Sequence, residues 1–454
     1  MCKDTESLGR IMSDKSVRRK NRILVLAMTA AAALSMAGGL YAGGRSGDNQ
    51  PYKQVLNFFS PADPGATYYD EATRTSISYE VEEKQEKKPT DNVTKEEFDK
   101  INDAFVSEYF LDYLSDEEQK VYHQLYKGIY NFEETINIEN NVLKQDDIGE
   151  FIVLFTVSNP YVNYIGGSYT ISLNKKGFVT SVSVQYSFDR AQAEKQRHEL
   201  DLKIDTVLEG LNDSMSDYDK VKYLHDYIVT HCTYDDKAPQ PYSAYGCLVQ
   251  GRCVCEGYTK AMLALCDRAG INAIPVIGQA GETGSGQGHI WNMVMIDGKW
   301  YNFDVTWDDP VGDMGDGYIR YDYYGVNDDQ FERTHTADKN KFMHYPSARS
   351  KDADYFEVNG LVCDDGRRAD ETMAKAIKLA VQNGDGLARI KCTDKDAYKH
   401  ALDLLFETND GTTEMFALLN KTLLKKDEDK VLRYSMIQND ETYTITVRFE
   451  DSAV

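Results

Sequence analysis

The stretch GRCVCEGYTKAM, from Gly251 to Met262, contains two cysteines one residue apart, Cys253 and Cys255. A cysteine thiolate attacks acyl groups well, but it needs a base, and the base needs a group that orients it. Residues 288–310, GHIWNMVMIDGKWYNFDVTWDDP, supply a histidine and a carboxylate, His289 and Asp304. These residue types together predict the outline of a Cys–His–Asp triad, with Cys255 as the nucleophile, His289 as its base and Asp304 as the group that orients His289.

The nucleophile is predicted to lie at the start of a helix. After Cys255, apolar residues recur at helical spacing up to a helix-stopping glycine: Ala261, Leu265, Ala269 and Gly270. The backbone amides of a helix N-terminus favour a thiolate over a thiol. Cys266 falls inside the helix and is expected in the core, and Cys253 is expected to be a packed neighbour.

His289 and Asp304 are predicted to meet on a β-hairpin. The Asp-Gly pair at 297–298 lies between two apolar runs, which is a strong hairpin signal, and a two-residue turn pairs Ile296 with Lys299. Counting outward makes His289 and Asp304 diagonal neighbours on one face, with Cα atoms about 7–8 Å apart, so their side chains can meet. The opposite face carries the residues expected in the core: Ile290, Val294, Ile296, Tyr301, Phe303 and Val305.

The cysteines have other possible roles. A zinc site in this region would draw on five residues: His231, Cys232, Cys247, Cys253 and Cys255. Their spacing lacks two paired-cysteine knuckles, so no metal and no cofactor are expected. A disulfide between Cys253 and Cys255 would be strained, whereas one between Cys232 and Cys247 stays open. The remaining histidines of interest are predicted to be surface or core hydrogen-bonding residues: His225, His231, His335 and His344.

Composition excludes some partners. The 454 residues carry a formal net charge of −23, with no basic block after the N-terminal segment, which argues against nucleic acid or anionic lipid as the main partner.

Basic residues before the apolar run from Ile23 to Leu40 predict a secretory signal, with cleavage near Ala37. The run is almost long enough to remain as a membrane anchor. The expected location is therefore secreted or extracellular, with membrane attachment only through an uncleaved N-terminal segment.

Changes in composition and periodicity predict five regions along the chain. They are a signal peptide or membrane anchor (1–42), a flexible charged linker (43–93), an N-terminal α/β module (94–200), a catalytic domain (201–346) and a small C-terminal α/β domain (347–454). Within the N-terminal module, the apolar run FIVLFTV from Phe151 is predicted to be a buried strand. The chain after it, through Gly177, is predicted to form a hairpin.

Three segments resemble the transglutaminase-like family of papain-fold cysteine enzymes, of the exported bacterial type. They are VCEGYTKAM around Cys255, GHIWNMV around His289 and KWYNFDVTWDDP around Asp304, which occur in the family's order. The resemblance covers roughly residues 215–346. It implies an α+β fold with a papain-like/transglutaminase-like core, flanked here by N-terminal and C-terminal α/β accessory domains. It also implies acyl transfer through a thioester, with the Cys255 amide and Gln250 as the candidate oxyanion donors.

The function expected from these residues is an exported cysteine acyltransferase or peptidase that acts on protein or cell-wall peptide. The sequence does not separate hydrolysis from cross-linking, because that choice depends on whether water or an amine reaches the thioester. The alternative is a catalytically silent transglutaminase-fold module with a surface binding or adhesion role.

Overall fold

The computed structural model describes residues 67–70, 75–81, 108–281, 286–309, 318–409, 412–423 and 431–452. The predicted export segment lies outside these residues. Two strands fall inside the predicted flexible linker, so the linker prediction is wrong there. The segment TSISYEV at 75–81 alternates polar and apolar residues, and Ile77 is fully buried. This period of two is the pattern of a half-buried strand, which the charged residues around it obscured.

The first sheet has five strands, numbered β1–β5 along the chain. They are β1 (Thr67–Asp70), β2 (Thr75–Val81), β3 (Thr135–Asn137), β4 (Ile165–Leu173) and β5 (Val179–Tyr186). Their order in the sheet is β1-β2-β4-β5-β3, with β2 and β4 parallel and the other neighbours antiparallel. The predicted hairpin of β4 and β5 is confirmed, and Gly177 takes a positive φ of 76° in its turn.

Three long helices accompany this sheet. They are α1 (Asp116–Tyr130), α2 (Ile148–Ser158) and α3 (Arg190–Leu208), after a 3₁₀ turn at Glu108–Tyr113. The run FIVLFTV lies in α2, so the strand prediction is wrong. A short apolar run that is buried on all sides has the same pattern in a strand and in a helix, and periodicity cannot separate them. The boundary predicted at residue 200 falls inside α3.

The central part of the chain combines an antiparallel sheet with short and long helices. Its strands are β6 (Thr233–Tyr234), β7 (Arg252–Cys253), β8 (Ala273–Ala280), β9 (Gln287–Ile296), β10 (Lys299–Phe303), β11 (Tyr324–Val326) and β12 (His335–Ala337). Its helices are α4 (Asp217–His231), α5 (Ala244–Leu248), α6 (Cys255–Arg268), α7 (Val305–Asp308) and α8 (Asp328–Phe331). The sheet order is β11-β10-β9-β8-β12, while β6 and β7 form a separate parallel pair.

The C-terminal part contains a second mixed sheet. Its helices are α9 (Tyr355–Val358), α10 (Ala369–Asn383), α11 (Lys395–Phe406) and α12 (Glu414–Leu423), with a 3₁₀ turn at Gly366–Arg368. Its strands are β13 (Val362–Cys363), β14 (Leu387–Cys392), β15 (Thr408–Asn409), β16 (Thr412–Thr413), β17 (Val431–Asn439) and β18 (Thr444–Ser452). β13-β14-β18-β17 form one sheet, in which β17 and β18 are an antiparallel pair.

Two apolar cores join these parts. One contains Phe155 of α2 together with Ile274 and Ile290 of the central sheet. The other contains Met262 of α6 together with Ile390 and Val447 of the C-terminal sheet. The central sheet and α6 are therefore held from both sides, in an α+β fold. Among the described residues, none of the helices combines the length and the apolar character needed to cross a membrane.

Candidate active site

Cys255 is the first residue of α6, as predicted. Val254 is extended and serves as the N-cap, and Cys255 is partly exposed, whereas the next eleven residues of the helix are all buried. The first amides of an α-helix have no carbonyl partner within the helix and point out of its N-terminus. The Cys255 sulfur therefore lies where the helix dipole and free amides stabilise negative charge. The prediction that Cys253 and Cys266 are packed is also confirmed, since both are fully buried.

A glycine lets the first turn of α6 approach the strand before it. A Cβ on Gly257 would lie 2.5 Å from the Cys253 Cβ, 2.7 Å from its sulfur and 2.8 Å from the Pro241 carbonyl oxygen. Real Cβ atoms do not make contacts this short, and one of the three groups is backbone. Gly257 thus sets how closely the turn that carries Cys255 packs on β7.

We expect Gly257→Ala to destabilise the protein and to slow alkylation of Cys255. Alanine favours a helix over glycine by about 1 kcal/mol, but overpacking costs about 3 kcal/mol, so the clash dominates. Urea unfolding and iodoacetamide labelling measure the two effects. Gly166→Ala is the matched control, because the nearest atom to a Cβ there is at an ordinary 3.4 Å. Unchanged stability and labelling in Gly257→Ala would contradict this role.

His289 and Asp304 come from the predicted hairpin. Ile296 pairs with Lys299, and the two turn residues have positive φ values of 50° and 75°, as a two-residue turn of this kind requires. β10 ends at Phe303 because Asp304 becomes the N-cap of α7. The predicted contact is confirmed: His289 Nε2 lies 2.7 Å from Asp304 Oδ2. The opposite face is buried as expected, but His289 itself is also buried, with 7% of its surface exposed.

The Asp304 carboxylate is fully engaged. Its Oδ1 accepts hydrogen bonds from the backbone amides of Thr306 and Trp307, at 3.0 and 3.1 Å. Its Oδ2 accepts from His289 at 2.7 Å and from His335 at 3.0 Å. Since Nε2 of His289 is committed to Asp304, Nδ1 is the nitrogen that remains for Cys255. The Cys255 side chain is a neighbour of His289 and contributes to the rise in the pKa of His289.

His335 is the site residue that sequence reasoning did not assign. It is buried, as a core hydrogen-bonding histidine should be, but its partner is Asp304. β12, an edge strand of the central sheet, brings it there by pairing with β8, where His335 lies opposite Ala280. Its Nδ1 lies 2.8 Å from the Thr334 hydroxyl. His335 lies 31 residues beyond Asp304, and no short-range motif connects the two.

The side chains of His289, Asp304 and His335 differ in charge. Burial lowers the pKa of His289, but the charge and hydrogen bond of Asp304, with help from Cys255, raise it to about 10. Burial raises the pKa of Asp304, yet His289 and then His335 bring it well below its ordinary range. Burial lowers the pKa of His335, which outweighs its hydrogen bond to Asp304. Asp304 is therefore an anion between one imidazolium and one neutral imidazole.

We expect His289 to stay protonated through the neutral range. NMR of protein labelled with ¹³C-histidine should show that its ring titrates near pH 10 rather than near the ordinary value of 6.5. Because the folded pKa lies above the unfolded one, the pair stabilises the fold fully below pH 6.5, and this contribution is lost as pH rises toward 10. A midpoint near 6.5 would contradict the geometry.

The other predicted residues lie as follows. Gln250 is exposed in the turn after α5, and its backbone amide donates to the Tyr245 carbonyl at 3.1 Å, so its oxyanion role stays a prediction. Aromatic rings surround His289, with Trp291 and Trp307 centroids at 6.2 and 5.8 Å. His225 is buried and contacts Asp226 and Asp308.

Among the described residues, two clusters contain side chains of the types that bind metal ions, with their ligand atoms close together. His289, Asp304 and His335 form one, but direct hydrogen bonds of 2.7 and 3.0 Å hold them together and leave no gap for an ion. Cys232, Cys247 and Cys253 form the other, all three of them buried. The zinc hypothesis had joined these cysteines with His231 and Cys255, which are not part of this cluster.

Comparison with known proteins identifies the central part of the chain. Residues 205–305 match the family model described as the transglutaminase-like superfamily. These residues form a transglutaminase-like domain. The match contains Cys255, His289 and Asp304, so the family resemblance of the three motifs is confirmed.

Two curated relatives and one solved structure show the extent of the similarity. The mouse kyphoscoliosis peptidase is 28% identical over 151 residues, which is 27% of this chain and 23% of that protein. The human protein of the same name is 28% identical over 114 residues, or 22% and 17%. The chain thus spans less than a quarter of their length. A solved structure of a TGase is 16% identical over 31% of this chain and 45% of its own, with a TM-score of 0.22, too low to support a conclusion.

Proposed function

We propose that this chain is a cysteine enzyme that transfers acyl groups of protein or peptide substrates through a thioester on Cys255. One observation carries the proposal: a partly exposed cysteine at a helix N-terminus lies beside a histidine whose pKa it helps to raise, and a buried aspartate fixes Nε2 of that histidine. This is the arrangement of nucleophile, base and orienting group that acyl transfer requires.

The reaction has two halves. The Cys255 thiolate attacks the carbonyl carbon of an amide, and the charge on the carbonyl oxygen develops beside the first amides of α6. The protonated His289 gives its Nδ1 proton to the leaving nitrogen, so the C–N bond breaks and a thioester remains. Water or an amine then attacks the thioester and gives a proton to His289, and the thiolate leaves. Asp304 stays ionised throughout and stabilises the imidazolium.

Hydrolysis is the outcome that we favour over cross-linking. The two curated relatives are named peptidases, and each is 28% identical to a part of this chain. We also propose that the protein acts outside the cytoplasmic membrane, since basic residues followed by the apolar run Ile23–Leu40 are typical of export signals. Cell-wall peptide is then a substrate class beside protein.

Two assays on the full chain test the proposal. One follows release of small peptides from casein, and the other follows incorporation of a fluorescent primary amine into casein. We expect peptide release without amine incorporation, and complete loss of release in Cys255→Ala. Mass spectrometry of quenched reactions should find an acyl group on Cys255 that hydroxylamine removes.

Activity that survives in Cys255→Ala would disprove the proposal. If casein binds but no acyl adduct forms on Cys255, the chain is instead a binding module that retains the fold. Cys266→Ala is the matched control, because it removes a buried thiol from the same helix without touching the site.

A further inference from the structure

A second group of cysteines lies directly behind the nucleophile. Cys232 is the C-cap residue of α4, Cys247 lies in α5, and Cys253 lies on β7, two residues before Cys255. Their sulfur atoms all lie within 4.8 Å of one another, and their exposed fractions are 6%, 1% and 0%. The proposed acyl transfer uses none of them. The group therefore needs an explanation of its own.

Within this group, Cys232 and Cys253 are in direct contact. Their sulfur atoms are 3.4 Å apart, and the backbone around them is held by the parallel pair of β6 and β7. Thr233 donates to the Gly251 carbonyl at 2.9 Å, and Asp235 donates to the Cys253 carbonyl at 2.8 Å. A disulfide needs the sulfur atoms to move closer by roughly 1.4 Å, to about 2.05 Å. Rotation of side chains on a fixed backbone supplies a movement of this size.

The two thiols differ in a way that suits thiol–disulfide exchange. Hydrogen bonds from Cys247 and then Cys253 lower the pKa of Cys232 to about 4 against the effect of its burial. Burial first, and the neighbouring thiols second, raise the pKa of Cys253 well above its ordinary value. Cys232 is also the more exposed of the two. A thiolate is the attacking species in exchange reactions, so Cys232 is suited to react first and Cys253 second.

A structural zinc ion fits the group less well. Such sites use four protein ligands, and zinc–sulfur bonds of about 2.3 Å separate the sulfurs by roughly 3.8 Å. Only three ligand groups meet here among the described residues, and the sulfurs of Cys232 and Cys253, 3.4 Å apart, are nearer than that. The neighbouring Tyr258 hydroxyl donates a hydrogen bond to the carboxylate of Asp309. The hydroxyl is therefore already engaged with another partner.

We propose that Cys232 and Cys253 are a redox-active pair that forms a disulfide and fastens the segment before Cys255 to the end of α4. The oxidant is a small disulfide such as oxidised glutathione. The Cys232 thiolate attacks one of its sulfurs and releases one glutathione thiolate. The Cys253 thiolate, after giving up its proton, then attacks the Cys232 sulfur and releases the second. Two protein sulfurs are oxidised and one disulfide is reduced, and the single proton given up by Cys253 is taken by one of the two released glutathione thiolates.

Peptide mapping of the full chain tests the pair directly. Reduced protein carrying Cys255→Ser, which removes the nucleophile's own reaction, is treated with oxidised glutathione, and remaining thiols are blocked. We expect one cross-linked peptide that joins Cys232 to Cys253. In Cys253→Ser, we expect a glutathionyl group that stays on Cys232. Cys247→Ser is the matched control and should still form the cross-link.

Thermal unfolding provides a second readout of the pair. Oxidation should raise the midpoint by a few degrees when Cys253 is present and should not raise it in Cys253→Ser. Three results would overturn the proposal: a cross-link between Cys232 and Cys247, thiols that remain reduced until the protein unfolds, or zinc bound stoichiometrically by the three cysteines. None of these readouts depends on the proposed acyl transfer.

Discussion

Asp304→Asn is expected to slow acylation of Cys255 by about 10³–10⁴-fold while the fold persists. The reason lies in the hydrogen bonds of Asp304. The amides of Thr306 and Trp307 hold one side-chain oxygen, so an asparagine keeps its oxygen there and turns its NH₂ group toward the two histidines. His289 must then accept at Nε2 and carry its proton on Nδ1. In that neutral form, the nitrogen facing Cys255 is no longer a base.

The rate of acylation by a small activated ester measures this loss, and ¹⁵N NMR of labelled histidine reports the form of His289. Asp308→Asn is the matched control, because Asp308 is also buried and also contacts a histidine, His225, at 3.2 Å. We expect the control to acylate within a few-fold of the unmodified protein. If Asp304→Asn acylated equally fast, Asp304 would have no orienting role.

Lys260→Met is expected to lower the free energy of unfolding by about 3–5 kcal/mol. Lys260 Nζ lies 2.7 Å from Glu256 Oε1, one turn apart on α6, and their side chains are 5% and 3% exposed. Methionine removes the cation but leaves a buried carboxylate next to Cys255. The uncompensated charge sets the cost, since the shape of the side chain is roughly preserved.

Urea unfolding measures the effect, and the double variant Glu256→Gln, Lys260→Met is the control. Because it removes both charges, it should recover most of the loss and lie within about 1 kcal/mol of the unmodified protein. A single variant as stable as the double one would mean that the pair contributes little. In that case, the ion pair of Glu256 and Lys260 would not explain why two charged side chains can be buried in the first turns of α6.

The predictions that held rest on local patterns. The start of α6 at Cys255 follows from helical spacing and the glycine at 270, and the contact of His289 with Asp304 follows from a two-residue turn counted outward. In both cases, a few neighbouring residues fix the geometry. The family motifs lie on these same elements, which is why the central domain could be identified from the sequence.

The predictions that failed, and the residues that were missed, depend on long-range packing. FIVLFTV forms a helix because it is enclosed on all sides, and that enclosure comes from other parts of the chain. His335 reaches Asp304 through the pairing of β12 with β8. Cys232 and Cys253 meet across 21 residues because β6 pairs with β7. None of these juxtapositions has a signal in the neighbouring sequence.

The most direct test of the account is the rate at which iodoacetamide labels Cys255, mapped by mass spectrometry from about pH 5 upward. The account predicts fast labelling of Cys255 that is selective over the buried cysteines of the described residues. It also predicts a loss of about 10²-fold in His289→Ala, and none in the exposed control His344→Ala. Slow labelling of Cys255 that is unchanged in His289→Ala would contradict the pairing of Cys255 with His289.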